Sequence, residues 1–149
     1  RIDSEDVEAI IGDAFAFEMS ELIDAAASGD LALLDHGLER LAEAGSKASV
    51  IANQTLKHFQ HLHRMRIDIE QGKNAQAVVD GQRPPIFFSR KPKFTQQLRI
   101  WSLTDLERAM DILSEATRIS RLNDALGVPV LSEALLKLGR AARARQQRR

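Results

Sequence analysis

The sequence predicts an all-α protein, an antiparallel bundle of about six to eight helices, and three observations carry that expectation. Apolar residues recur three and four positions apart over most of the chain, the spacing that lines one face of a helix. Glycine, serine, asparagine and aspartate punctuate those runs at the points where helices start and stop. Strand signals, in the form of alternating or β-branched runs bounded by turns, are absent from the sequence.

Taken in order, Ser4 can cap a short helix over "EDVEAIIG", with Glu5, Asp6 and Glu8 near its positive end and Gly12 as its stop. After "DAFAF" a second helix runs from Glu18 to Ser28 and ends at Gly29. A third begins at once with Asp30 as N-cap and carries Leu31, Leu34, Leu38 and Leu41 on one stripe before Gly45 closes it. Ser46 caps the next, Lys47 to Gln71, whose apolar face is Ala48, Ile51, Ala52, Thr55, Phe59, Leu62, Met65 and Ile69, with Gly72 as its end. A short amphipathic turn, Asn74 to Val79, precedes "GQRPPIFFSRKPKF". A helix around Pro92 to Ile100 follows, then Ser102 as N-cap with Asp105 three residues on, opening the run Leu103, Leu106, Met110, Leu113, Thr117 that ends near Leu126. Gly127 and Pro129 mark one stop and the next start, with Leu131, Leu135, Leu138 and Ala142 facing inward.

A chain of 149 residues is about the size of one domain. Its 44% hydrophobic and 28% charged content is that of an ordinary globular protein, and no apolar run approaches the roughly 18 residues of a membrane span. The absence of cysteine excludes disulfides, thiolate metal sites and cysteine nucleophiles, and a cytoplasmic setting fits it best. The opening Arg-Ile-Asp-Ser, with neither initiator Met nor signal-like stretch, suggests a piece of a longer polypeptide.

The formal net charge of zero conceals a lopsided distribution. Residues 1–45 carry twelve acidic side chains against Arg1 and Arg40 alone, whereas Lys57 to Arg99 holds nine Lys or Arg against Asp68, Glu70 and Asp80. The terminal "KLGRAARARQQRR" adds six more cations and reads as a frayed, solubilising end. Such a dipolar molecule suits oriented docking.

No catalytic constellation can be drawn. GxSxG, HExxH and phosphate-cradling glycine loops are missing, as is tyrosine. His58, His61 and His63 invite a metal reading, but at about 100° per residue His58 and His61 lie roughly 60° apart while His63 points away from His61 toward the apolar side. The expectation is no catalytic residue, no cofactor and no metal. Carboxylate pairs such as Asp105 and Glu107, or Glu39 and Glu43, read as capping and solubilising groups. "QLRIW", Gln97 to Trp101, is similar to the extended peptides that dock on bacterial sliding clamps, yet Leu98 and Trp101 are spaced to enter the core of a helix.

The stretch from Gly81 to Phe94 holds three prolines, three phenylalanines and four cations. Pro84 and Pro85 lack backbone donors and the first drives Arg83 out of helical conformation, so the bundle turns a corner there. Phe87 or Phe88, and then Phe94, can plug the gap between helices, leaving Arg90, Lys91 and Lys93 outward with no carboxylate near them in the sequence. Two readings stay open: a corner with a solvated cationic edge, or an interface in which one phenylalanine is exposed among Arg90, Lys91 and Lys93 for an acidic partner surface.

The order "SEDVEAIIGD", "LIDAAASGDLALLDHGLERLAEAG", "SVIANQTLKHFQHLHRMRIDIEQG", a Pro-Phe segment and "QLRIWSLTDLERAMDILSEATRISR" resembles the C-terminal part of the delta subunit of bacterial DNA polymerase III. The resemblance spans nearly the whole chain and rests on the "GD" joining two helices, the long helix ending in glycine and the Trp-Ser step. It implies a clamp-loader collar, the helical domain that joins loader subunits above their AAA+-like modules. Residues 1–13 would be the end of the lid-like module and 14–149 the collar with its basic tail. The implied partners are other clamp-loader subunits of the tau/gamma and delta-prime types. The implied role is non-catalytic, because the clamp contact belongs to a module absent here and delta is not expected to hydrolyse ATP. A different class of function remains open, a DNA-binding helical module using the basic 83–93 edge and the C-terminal tail.

Overall fold

Local capping chemistry sets most of the helix ends. The computed structural model describes residues 4–44 and 47–147, the side chains of residues 4–13 and of Ala44 excepted. Over these residues it is 87% helical, with seven α-helices and no strand. They are α1 (Ser4–Ser28), α2 (Leu31–Ala44), α3 (Ala48–Glu70), α4 (Ala75–Asp80), α5 (Lys91–Ile100), α6 (Leu103–Leu122) and α7 (Asp124–Gln147), with one turn of 3₁₀ helix at Phe88–Arg90.

Gly29, at φ 76°, takes the left-handed conformation that closes α1, and Asp30 Oδ1 accepts the Leu33 N–H at 3.2 Å to open α2. A Cβ at Gly29 would stand 2.6 Å from the backbone N of Arg143, so glycine there also lets α7 cross the α1–α2 turn at close range. Asn74 and Ser102 cap α4 and α6 by accepting the N–H of Ala77 and Asp105. Ser102 Oγ also donates to Asp105 Oδ2 at 2.7 Å, a hydroxyl-to-carboxylate bond in place of the backbone N–H bond of a capping box. Gly45 and Ser46, expected to stop α2 and cap α3, lie outside the described residues; the N-cap position of α3 is Lys47, without a side-chain cap.

Two expected breaks are corrected. Gly12 does not stop a helix: α1 runs from Ser4 through it to Ser28, because the following "DAFAF" is alanine-rich and sustains the helix at the cost of about 1 kcal/mol for one internal glycine. The expected boundary between residues 13 and 14 therefore falls inside α1. Nor do Gly127 and Pro129 separate α6 from α7. The break comes earlier, at Asn123, whose extended backbone (φ −149°, ψ 99°) ends α6 and whose Oδ1 accepts the Ala125 N–H at 3.1 Å. Pro129 sits in the second turn of α7, where its missing donor removes a single helical hydrogen bond. Gly127 is buried, and a Cβ there would lie 3.1 Å from the Ala48 side chain, so it permits close passage of α7 over α3.

The helices enclose two apolar clusters. One, between α3, α4, α5, α6, the C-terminal half of α7 and the end of α1, contains Phe59, Leu62, Met65, Phe94, Leu98 and Trp101, with Phe59 edge-on to Trp101 at 5.0 Å. The other, between α1, α2 and the N-terminal halves of α3 and α7, is built on Leu22, Leu34, Leu41, Ile51, Leu131 and Leu135. Thr55, Thr117 and Ser120 are buried on these faces at little cost because each hydroxyl donates to the carbonyl four residues back. No helix among the described residues is long and apolar enough to cross a membrane.

Candidate protein-interaction edge at the proline corner

Between α4 and α5 the chain turns around Pro84 and Pro85, and its apolar side chains are divided between the core and the surface. Ile86 is buried, Phe87 and Phe88 are 80% and 87% exposed, and Phe94 is buried. The plug expected from Phe87 or Phe88 is thus made by Ile86 together with Phe94, and both neighbouring rings are turned to solvent. Burying a phenyl ring is worth about 1.5–3 kcal/mol, so two adjacent rings left out mark the most apolar exposed point of the corner.

What holds the corner is a buried polar knot. Asp24, in the middle of the apolar stretch Leu22–Ala27 of α1, is 4% exposed. Arg90 grips it from the 3₁₀ turn, donating through Nε at 3.2 Å and through Nη2 at 3.0 Å to each carboxylate oxygen. Gln97 Nε2 donates to Asp24 Oδ1 at 3.0 Å and to Ser28 Oγ at 3.1 Å. With its amide nitrogen committed to a carboxylate, Gln97 presents its oxygen to His58 Nε2 at 2.7 Å, so the imidazole donates from Nε2. Burial lowers the His58 pKa from 6.5 to about 4, against the opposing pull of Asp24, and the ring is neutral at pH 7. The guanidinium of Arg90 also stacks over Phe94 at 4.9 Å. Four elements, α1, α3, the 3₁₀ turn and α5, are pinned at one point.

The expectation of a cationic edge free of carboxylates is corrected by these contacts. Arg90 is committed to Asp24, and Lys91 Nζ pairs with Asp80 at 3.0 Å. Asp80 is itself held below the usual carboxylate range, first by its bond to Lys91 and then by that to Gln76. Of the five residues expected at an interface, Phe87, Phe88 and Lys93 face outward, whereas Arg90 and Lys91 brace the corner from behind. Arg83 joins the outward group, and neither it nor Lys93 has an ion-pair partner among the described residues.

Asp24, Gln97 and Asp80 went unread in the sequence. The one available signal was a lone aspartate inside "LIDAAA", where a carboxylate on an apolar run demands a partner. The histidines part company: His58 faces Gln97, His61 Nε2 faces Gln82 Oε1 at 2.8 Å, and the buried Nε2 of His63 has no hydrogen-bond partner among the described residues, the Glu107 carboxylate lying 3.6 Å away. Leu98 and Trp101 of "QLRIW" are 1% and 2% exposed, and Trp101 Nε1 donates to the Ala27 carbonyl at 2.8 Å, so that stretch is core. The C-terminal segment departs from the frayed end expected of it: α7 is helical to Gln147, and Arg145 donates to Asp105 at 2.6 Å. Comparison with protein-family models, curated proteins and solved structures gives no match.

Proposed function

We propose that this chain is a non-catalytic subunit-assembly domain of a bacterial DNA polymerase III clamp loader, the collar of a delta-type subunit. In this reading it acts in the cytoplasm, holding the loader ring together while the sliding clamp is loaded. The observation that carries the proposal is the exposed Phe87–Phe88 pair on a corner braced by the Arg90–Asp24 pair. Hydrophobic residues presented on a rigid mount, with Lys93 and Arg83 beside them in sequence, suit a protein surface with acidic character. The resemblance in helix order and glycine placement supplies the class of partner, other loader subunits of the tau/gamma and delta-prime types.

The test is reconstitution with those subunits, followed by size-exclusion chromatography with light scattering. Replacing Phe88 with Ala and Lys93 with Glu should weaken assembly about tenfold or more while the urea midpoint stays unchanged. Reversing Arg90 is not a clean comparison, since it leaves Asp24 buried without its partner. Failure of the chain to bind any loader subunit overturns the proposal.

A DNA-binding reading keeps one specific observation, the exposure of Arg83, Lys93, Arg140 and Arg143. It is weakened by the engagement of Arg90, Lys91 and Arg145 with carboxylates, which leaves fewer cations for phosphates. Tight duplex binding that falls steeply with salt would favour it over the assembly reading.

A further inference from the structure

Behind the corner, on the far side of α1, the surface is not filled. α1 and α2 diverge around a groove of about 380 Å³ whose floor and walls include Phe15, Met19, Leu22 and Ile51. Its rim carries Glu18, Glu21 and Glu43 against Arg40, three carboxylates to one guanidinium. Arg40 is already bonded to Glu18, so Glu21 and Glu43 dominate the field at the mouth. Phe15 and Leu33 at its edge are 36% and 40% exposed, and apolar surface of this kind inside an acidic rim is incomplete without an apolar, cationic occupant.

The same chain displays such an occupant elsewhere. Phe87 and Phe88 project from the corner, with Arg83 four residues before the first and Lys93 five after the second. The corner cannot fold back into its own groove. Asp24 fixes it, through Arg90, to one side of α1, and at about 100° per residue Phe15 and Leu22 of the groove lie roughly 180° and 160° around the helix from Asp24. Glu21 and Leu33, on the flank of the groove, also line a second cavity with Lys93, whereas Phe87 and Phe88 line neither, so it is the two rings that stand clear of the socket on one rigid element.

We infer that the α1–α2 groove is the receptor for the Phe87–Phe88 corner of a second copy of this chain, so that copies associate head to tail. The contact is heterologous: each molecule keeps a free socket at one end and a free knob at the other, and association proceeds to a ring or an open chain. The inference rests on the reading of the chain as an assembly domain and adds to it the surface that receives the corner.

Sedimentation velocity over a concentration series tests it with two variants whose changes are all at exposed positions. Phe87→Ala with Phe88→Ala removes the knob; Glu18→Lys with Glu43→Lys reverses most of the socket rim and leaves the apolar floor intact. Wild type should associate in a concentration-dependent way that weakens with salt, and each double variant alone should do so at least tenfold less strongly. Mixed together, the two variants should form a 1:1 dimer and nothing larger, because one intact knob then meets one intact socket. Wild type that stays monomeric at every concentration, variants that assemble like wild type, or a mixture that does not pair each overturn the inference. Wild type that binds loader subunits but never itself sinks this inference alone, and self-association without any loader binding sinks the assignment to a loader instead.

Discussion

Phe59, Phe94 and Trp101 all lie in the core built around α3, α4, α5 and α6, whereas the core between α1, α2 and the starts of α3 and α7 is aliphatic, with no aromatic among its described members. The first core also borders the Asp24–Arg90–Gln97–His58 knot, and Trp101 reaches from it to the Ala27 carbonyl. The contrast is between directional and non-directional cohesion. A bidentate ion pair, an amide with both ends committed and an edge-on aromatic pair are satisfied in one arrangement, so this side fixes the path of the chain through the corner. Leucine and alanine contacts reward area and tolerate small shifts, and it is on this aliphatic side that α1 and α2 part to leave a groove.

That comparison can be broken most severely at Asp24. Asp24→Ala leaves the Arg90 guanidinium and the Gln97 amide without their shared acceptor, and a loss of about 4 kcal/mol is expected in urea unfolding, with the corner released. The matching change on the other side, Leu135→Ala at a fully buried position, should cost about 3 kcal/mol through lost transfer energy and a cavity, and leave the corner in place. Protease cleavage near Pro84 tells the two apart: it should accelerate in the first variant only.

Acid should act on the polar side alone. The folded pKa of His58 is lowered to about 4 from 6.5, so the unfolded chain takes up the proton first and stability is lost as pH falls below 6.5. Between pH 7 and pH 5 the expected loss is about 2 kcal/mol. The loss should be absent from the unfolding curves of His58→Gln and so appear in full in the difference between wild type and that variant. The smallest effect belongs outside both cores. Phe88→Ala should shift stability by less than about 0.5 kcal/mol, because a ring 87% exposed has little packing to lose. Strong destabilisation in that variant would show the ring to be part of the fold instead of its surface.

Most helix ends were legible in the sequence. Gly29, Asp30, Gly72, Asn74 and Ser102 act where their residue types direct, since a cap or a left-handed glycine involves atoms within a few residues. Of the misread punctuation, Gly12 is carried through by the helix that continues after it, whereas the meaning of Gly127 depends on what packs beside it. Gly127 is read as a stop by its type, yet it is a notch for Ala48, 79 positions away in the chain. At the corner the turn was readable, while the exposure of a phenylalanine was one of two open readings and the partners of the cations were not visible.

The apolar spacing, the caps and the absence of strand patterns determined an α-helical bundle with a proline-bent corner by themselves, because each of those signals is local. Only the tertiary structure decided which charges are spent inside. Asp24 and Arg90 stand 66 residues apart and meet because α1 and α5 are brought side by side. A carboxylate in an apolar environment then takes whatever donor that packing supplies. The same packing divided "RPPIFFSRKPK" into residues that hold the corner and residues left to recognise something else.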